Sequence, residues 1–369
     1  MNLTSYDYTI GIEEEYQIVD PETGELASAV ESLLAEGKKE LGGQVTTEMM
    51  QCQIEIGTKV CSTIKEARQQ IVDIRGCLHR IAEKYGLNII AAGTHPFSEW
   101  HKQHITDRSR YMGLMMENQL LARQLIICGM HMHIGIEDKD LRVDMMNQLR
   151  YFCPHLLALS TSSPFWGGED TGLKSYRSVI FERLPRTGIP PLMRSWSEYQ
   201  EFLDVSTATG SIDEPTKIRW DIRLSPKYPT LEYRIADVCT KVDEAIAVCA
   251  LKVALVAKLL KLRRNNMQWR EYRKEFLMEN KWRAVRWGID GKLIDFGKAR
   301  EIPAKRLIFE LLTFVDDVVD DLGIQDEISY VHTILEEGTS ADRQLKKFKE
   351  TGSMKAVVDM LIEETKEGL

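Results

Sequence analysis

Gly11-Ile12-Glu13-Glu14-Glu15-Tyr16-Gln17-Ile18-Val19-Asp20 reads as most of a strand over 9–19, closed by the turn Asp20-Pro21-Glu22-Thr23-Gly24. Side chains on a strand alternate between its two faces. Ile10, Ile12, Tyr16 and Ile18 therefore share one face and Glu13, Glu15 and Gln17 the other, while Glu14 breaks the apolar face. Four further stretches sort in the same way. In 45–57, Cys52, Ile54 and Ile56 oppose Gln51, Gln53 and Glu55. In 129–136, Met130, Met132, Ile134 and Ile136 oppose Gly129, His131, His133 and Gly135. In 217–224, Ile218, Trp220, Ile222 and Leu224 oppose Arg219, Asp221 and Arg223. In 230–235, Leu231, Tyr233 and Ile235 oppose Thr230, Glu232 and Arg234.

Any one such strand is explained by an antiparallel sheet with one face in the core and one in water. The set is less ordinary. A solvated face carries Lys, Ser and Thr among its acids, whereas these polar stretches carry mostly Glu, Gln, His, Arg and Gly, with Lys only at the edge of one, Lys217. Carboxylates are the ligands that hard divalent ions take, with nucleotide phosphates completing the shell, and imidazole also serves Mn²⁺. Arginines offer fork-shaped donors to phosphate or carboxylate. Glycines flanking the two histidines would let a ligand approach the backbone. A sheet face that joins acidic metal ligands to basic anion ligands suits phosphoryl transfer.

The remaining composition sets the class. Hydrophobic residues at 43% and charged residues at 28% fit a globular chain and argue against disorder. A formal charge of −8 leaves no bulk attraction to nucleic acid or to an anionic membrane. The seven cysteines form no CxxC pair, which points to free thiols in a reducing compartment. Met1 to Tyr8 is polar and lacks the apolar core of a secretory signal. The longest apolar run, Ala245 to Leu262, is interrupted by Lys252, Lys258 and Lys261 and reads as a buried amphipathic helix, not a membrane span. A cytoplasmic protein is expected.

Periodicity predicts helices over 28–41, 63–85, 111–127, 139–160 and 197–208, and a further strand over 87–94. The segment 161–195 reads as a long loop rich in Gly, Pro, Ser and Thr. From 240 onward come helices near 241–264, 268–286, 304–321, 325–336, 340–350 and 354–366. With no composition shift to mark a boundary, 1–369 is expected to be a single catalytic domain of α+β class, with 240–369 as a mostly helical cover. The C-terminal helices carry more apolar surface than one sheet needs, so a homodimer is expected.

Five motifs in order make the chain resemble a known family. They are the first strand, Gln51-Cys52-Gln53-Ile54-Glu55, Gly129 to Gly135, Leu231-Glu232-Tyr233-Arg234-Ile235-Ala236-Asp237, and Asn280-Lys281-Trp282-Arg283-Ala284 continuing to Arg286. Together they resemble the glutamate–cysteine ligase type 2 family, and more narrowly its YbdK-like carboxylate–amine ligases. The resemblance spans nearly the whole chain. It implies a glutamine-synthetase-like fold, a curved antiparallel sheet flanked by helices. It implies ATP and two or more Mg²⁺ or Mn²⁺ ions. It also implies phosphorylation of a carboxylate, that of L-glutamate in the named activity, followed by attack of an amine such as that of L-cysteine, with ADP and phosphate released. By resemblance Glu13, Glu15, Glu55, His133 and Glu232 would be metal ligands, and His131 a ligand or a phosphate donor. Arg234 would hold phosphate. Arg183 and Arg186 would hold the substrate carboxylate or the γ-phosphate, and Arg283 and Arg286 would lie near the nucleotide.

Four other readings compete. The same chemistry on another acid and amine is one, and a non-catalytic homologue serving as a binding module, against which the intact acid, histidine and arginine set argues, is another. A metal-dependent amidohydrolase would use the pair His131 and His133, but needs ligands at the ends of further parallel strands, and none of the other histidines follows such a strand. A guanidino kinase shares the sheet type only by analogy.

Overall fold

The structure is a computed structural model that describes residues 8–369, so the reading of the first seven residues lies outside the described part. One antiparallel sheet is built from β1 (Ile10–Val19), β2 (Val45–Thr47), β3 (Gln53–Gly57), β4 (Asn88–Ile90), β5 (Gly129–Gly135), β6 (Ile222–Leu224) and β7 (Thr230–Asp237). The order across it is β6-β7-β5-β1-β3-β2, with β4 pairing the end of β1. The α-helices, in chain order, are α1 (Val30–Leu41), α2 (Ile64–Lys84), α3 (Ser109–Asn118), α4 (Leu120–Arg123), α5 (Lys139–Leu149), α6 (Cys153–Ser160), α7 (Tyr176–Glu182), α8 (Trp196–Ala208), α9 (Val242–Arg264), α10 (Lys274–Trp287), α11 (Ala304–Leu322), α12 (Gln325–Glu337), α13 (Ser340–Thr351) and α14 (Met354–Lys366).

The apolar face behaves as the alternation requires. Ile12, Ile54, Met132, Ile222 and Tyr233 are all buried in one core cluster that also takes in residues of α2, α6 and α9. Glu14, the break in that face, is fully buried and meets Arg75 of α2 as a two-pronged pair, Nη2 to Oε1 at 2.7 Å and Nε to Oε2 at 2.9 Å. Arg75 also donates to the carbonyls of Thr240 at 2.7 Å and Cys239 at 3.0 Å. The acid is thus a structural tie between sheet, helix and the start of α9. Its helix begins on a sound cap, since the Thr63 hydroxyl accepts from the Glu66 amide at 3.1 Å.

The central helix differs from its expected amphipathic form. Every residue from Glu244 to Ala257 is buried, because α9 lies between the sheet and an outer layer of α11 and α12. A helix enclosed on all sides is apolar all round. The lysines interrupting the run are answered one by one. Lys252 donates to the Met132 carbonyl at 2.5 Å and lies over the Tyr233 ring, and Lys258 and Lys261 pair with Asp317 of α11 at 2.7 and 2.9 Å. The outer helices spend their apolar faces within the chain. Helices α11 and α12 pack on α9, and Val357, Val358 and Leu361 of α14 pack on Val19, Ile90 and Phe165. Much of the apolar surface of these helices is thus covered within the chain, while Phe276, Trp282 and Trp287 of α10 and Phe309 of α11 stay exposed.

Other boundaries shift for local reasons. The strand expected over 45–57 is a hairpin, β2 and β3, whose turn carries Glu48. The helix over 111–127 breaks at Gln119, which has φ +50, and its first part starts at Ser109. The helix over 139–160 is split by a 3₁₀ turn, Arg150–Phe152. The expected loop 161–195 contains α7. The strand over 217–224 divides at Asp221, with Arg219–Trp220 pairing in parallel with Thr187–Gly188. A hairpin of Lys292–Asp295 and Arg300–Pro303 was not anticipated. All seven cysteines are free and buried, and among the described residues no helix is long and apolar enough to cross a membrane.

Candidate active site

Register gathers the polar face. Glu13 on β1 stands opposite His131 on β5, Glu15 opposite Glu55 on β3, and Glu232 on β7 opposite His133. Arg223 on β6 stands opposite Glu232. These side chains, with Arg234, line a cleft of about 1310 Å³ that is roofed by α3, by Phe181 of α7 and by the segments 210–219 and 225–228. The face read from the sequence as one unit is one wall of one cavity.

One end of that wall is acidic. Glu13 sits between two imidazoles, with His131 Nδ1 at 3.3 Å from Oε2 and His133 Nε2 at 3.4 Å from Oε1. Burial would raise the Glu13 pKa, but the two histidines outweigh it and hold the carboxyl well below the usual range. Burial, with Arg234 adding to it, pushes His131 down to about 4. His131 is therefore neutral at pH 7. His133 meets the Thr230 hydroxyl through Nδ1 at 2.9 Å, while its buried Nε2 makes no hydrogen bond although the Glu13 carboxylate is near. Glu15 accepts from the Gly129 amide at 2.6 Å. Burial and the charge of Glu48 still push Glu15 up to about 8. Glu55 is raised well above its normal value by burial, then by Glu48 and Glu13.

Among the described residues no three His, Cys, Asp or Glu side chains stand in metal-ligating geometry. The donor chemistry nonetheless fits a hard divalent cation. Glu15, Glu48 and Glu55 crowd together at a cost that a cation would relieve, and a Mg²⁺ ion needs only one or two carboxylates when phosphates and water supply the rest.

The other end is basic. Arg223 grips Glu232 with Nε at 2.8 Å and Nη2 at 3.0 Å, and Arg234 bonds the same carboxylate. Burial alone would raise Glu232, but Arg234 and Arg223 hold it far below the usual range. Both oxygens of this expected metal ligand are thus engaged by guanidinium groups. Arg177 and Arg219 also line the cleft. Arg219 has no carboxylate partner among the described residues, and burial, then the Arg186 charge, lower it to about 10.

Of the residues anticipated from the sequence, Glu13, Glu15, Glu55, His131, His133, Glu232 and Arg234 are brought together, and four arginines are not. Arg183 is turned to the Gln124 side chain at 2.6 Å and the Tyr176 hydroxyl. Arg186, at φ +63, bonds the Ser211 and Lys217 carbonyls and Glu117, tying α3 to the loop behind it. Arg283 pairs with Glu279 and Glu301 on the surface of α10, and Arg286 donates to the Gly172 carbonyl. None of the four lines the cleft: Arg183, Arg283 and Arg286 are satisfied by neighbours outside it, and Arg186 is held from behind by the roof residues Glu117, Ser211 and Lys217. Sequence reasoning passed over Glu48, Arg177 and Arg219. Arg219 stood on a polar strand face and could have been chosen, while Glu48 lies in a turn and Arg177 in a helix hidden within an apparent loop. Asp221, on that same apparent face, is buried against Lys281 instead, with Nζ at 2.7 and 2.8 Å from its oxygens. The glycines beside the histidines are filled from within the protein. A Cβ at Gly129 would lie 2.2 Å from Arg177 Nη2, and one at Gly135 would lie 2.4 Å from the Thr9 hydroxyl.

Comparison with known proteins adds the lineage. The chain is 52% identical over 368 residues to a protein of Chloroflexus aggregans provisionally named glutamate–cysteine ligase 2, covering 100% of this chain and 94% of that one. A Roseiflexus castenholzii protein of the same provisional name is 51% identical over 364 residues, covering 99% and 96%. Among solved structures, a glutamate–cysteine ligase from Francisella tularensis, crystallised with AMP, superposes with a TM-score of 0.71 at 14% identity, covering 98% of this chain and 89% of that one. A bifunctional glutathione synthetase from Pasteurella multocida superposes at 0.73 and 15% identity, covering 97% of this chain and 52% of that one. These two share the fold, an antiparallel sheet flanked by helices, as expected. The family model described as glutamate-cysteine ligase family 2 matches residues 9–360, and the chain belongs to that family of ligases.

Proposed function

We propose that the cleft joins a carboxylate to an amine at the expense of ATP, with the γ-carboxylate of L-glutamate and the amine of L-cysteine as substrates. The observation that carries this reading is the division of one cavity wall into a carboxylate–imidazole end and a guanidinium end. A carboxylate resists direct attack by an amine because oxide is a poor leaving group. In the proposed sequence a carboxylate oxygen attacks the γ-phosphorus of ATP and ADP departs. The amine then attacks the acyl carbon, the C–O bond to phosphate breaks, and phosphate and the amide are released.

Transferring phosphoryl oxygens need preorganised positive charge in a site shielded from water. Arg234 is buried, stays protonated and is aimed by its bond to Glu232, with Arg177 and Arg219 nearby on the same cleft. Glu13, Glu15, Glu55 and His133, with Glu48 from the hairpin turn, would hold Mg²⁺ or Mn²⁺, which supplies charge neutralisation to the phosphates when bound. The neutral His131 offers a hydrogen bond to a phosphate oxygen without adding charge. The AMP carried by the Francisella enzyme supports an adenine nucleotide here.

The test is isotopic. Glutamate labelled with ¹⁸O in its γ-carboxylate is expected to pass one labelled oxygen to the released phosphate. Label in AMP, with pyrophosphate as co-product, would mean adenylation and would sink the acyl-phosphate reading.

A further inference from the structure

Among the structural features without a role in the preceding proposal, the buried cluster around Asp237 is the most fully specified. Asp237 is wholly inaccessible. Its Oδ2 accepts from the Ser162 amide at 3.0 Å and the Ser163 hydroxyl at 2.7 Å, and its Oδ1 accepts from the Ser175 hydroxyl at 2.8 Å. Arg177 Nη1 stands 3.8 Å from the same Oδ1. The Arg177 amide is itself held by Ser163 Oγ at 3.1 Å.

Arg177 reaches from this cluster to an irregularity in β7. The pairing of β7 with β5 shifts between Tyr233 and Ala236, which leaves Arg234 and Ile235 outside the ladder to β5. Their carbonyls are met by the guanidinium of Arg177, Nη2 to Arg234 at 3.3 Å and Nη1 to Ile235 at 3.4 Å. Buried carbonyls left unpaired would be costly, and a buried guanidinium needs a countercharge. Arg177 answers the first need and Asp237 the second. Both partners are given room by glycines. A Cβ at Gly129 would strike the Arg177 guanidinium at 2.2 Å, and one at Gly93 would strike Asp237 Cγ at 2.9 Å. The Phe181 ring, one turn along α7, lies under Arg177 at 5.7 Å and under Arg234 at 6.0 Å, so the two guanidinium groups are spaced by one ring.

We propose that Asp237 is a positioning residue: it fixes Arg177 on the bulge of β7, and that bulge sets the direction in which Arg234 enters the cleft. Its consequence for turnover rests on the ligase reading above, whereas its consequence for the bulge does not. Misplacing a charge-bearing group by about 1 Å costs on the order of 10²-fold in rate. Asp237→Asn, which keeps one oxygen to accept from Ser162 and Ser163 but puts an NH2 donor toward Ser175 and removes the charge, and Arg177→Met are each expected to lower kcat by about 10²-fold while the KM for ATP changes little. Because Asp237 acts through Arg177, the double variant is expected to be no slower than the slower single. Gly129→Ala, which alters neither partner, is expected to displace Arg177 and reproduce the loss.

Amide hydrogen exchange over 230–237 reads the bulge without reference to activity. It is expected to quicken in all of these variants, while α9, at the centre of the core, keeps its protection. Additive losses in the double variant, or unchanged exchange over 230–237 in folded Arg177→Met, would overturn the proposal. Should the wild type ligate no acid and amine, the ligase reading falls alone, and the exchange measurements still decide the positioning role.

Discussion

Glu15 is the residue where burial and function pull hardest against each other. Its ordinary pKa of 4.5 is pushed up to about 8 by burial and by the charge of Glu48. The folded protein therefore holds a proton between about 4.5 and 8 that the unfolded chain has lost. Stability linked to this group is present at low pH and is lost as pH rises through 8. Glu15→Gln keeps an acceptor for the Gly129 amide and removes the ionisation. The variant is expected to be more stable than the wild type at pH 9 in chelator and no more stable at pH 4.5, as read by urea midpoints. Equal midpoints at pH 9 would mean that Glu15 is solvated. Glu14, one residue earlier, faces the other way and does the opposite work. Arg75→Met would strand its carboxylate in the core, and removing one member of a buried pair costs about 3–5 kcal/mol. Calorimetry should find a large fall in melting temperature, and a loss within error would place Glu14 in water.

At the scale of elements, the interruptions are as telling as the helices. Helix α3 ends at Asn118 and α4 begins at Leu120, with Gln119 between them at φ 50 and ψ −121. That region is favoured by glycine, and a non-glycine residue held there stores about 1–3 kcal/mol. Gln119→Gly should therefore raise thermal stability by about 1 kcal/mol despite the added chain entropy. A drop on thermal unfolding would show that the Gln119 side-chain bond to the Met116 carbonyl, 2.8 Å long, outweighs the strain. The split matters to the cleft, since α3 supplies its roof and carries Glu117 to Arg186 and Lys217.

The whole molecule shares a liability to acid. His79, His95, His131 and His155 lie on different elements, and burial lowers all four, to about 4, 3, 4 and 4. The unfolded chain binds protons at these groups from about 6.5 downward, whereas the folded protein resists until near 4. Stability that is full above pH 6.5 should decline progressively as pH falls toward 4. Glu15 acts in the reverse sense toward alkaline pH, so the metal-free protein should be most stable in the neutral to mildly acidic range. Denaturant midpoints measured from pH 4 to 9 check both limbs. A midpoint that stays level from pH 6.5 to 4 would contradict the burial of these imidazoles.

Strand alternation was legible because it is local. Whatever the neighbours, a strand sends Glu13 and Glu15 to one side and Ile12 and Tyr16 to the other, so the sheet, its apolar core and the acid–histidine wall could be read from residue order. The same rule misjudged Asp221, because the chain kinks there and Lys281 draws the carboxylate into the core. It had no account of Glu14, because the reason is a guanidinium sixty-one residues away. Arginines were the least legible group. A long flexible side chain reports its address only through the partner that satisfies it, so Arg183, Arg283 and Arg286 went to partners outside the cleft and Arg186 to the back of its roof. Arg177, in a stretch that read as loop, came in through the space left by Gly129. Sequence determined which face would carry the chemistry; only tertiary packing decided which positive charges would stand before it.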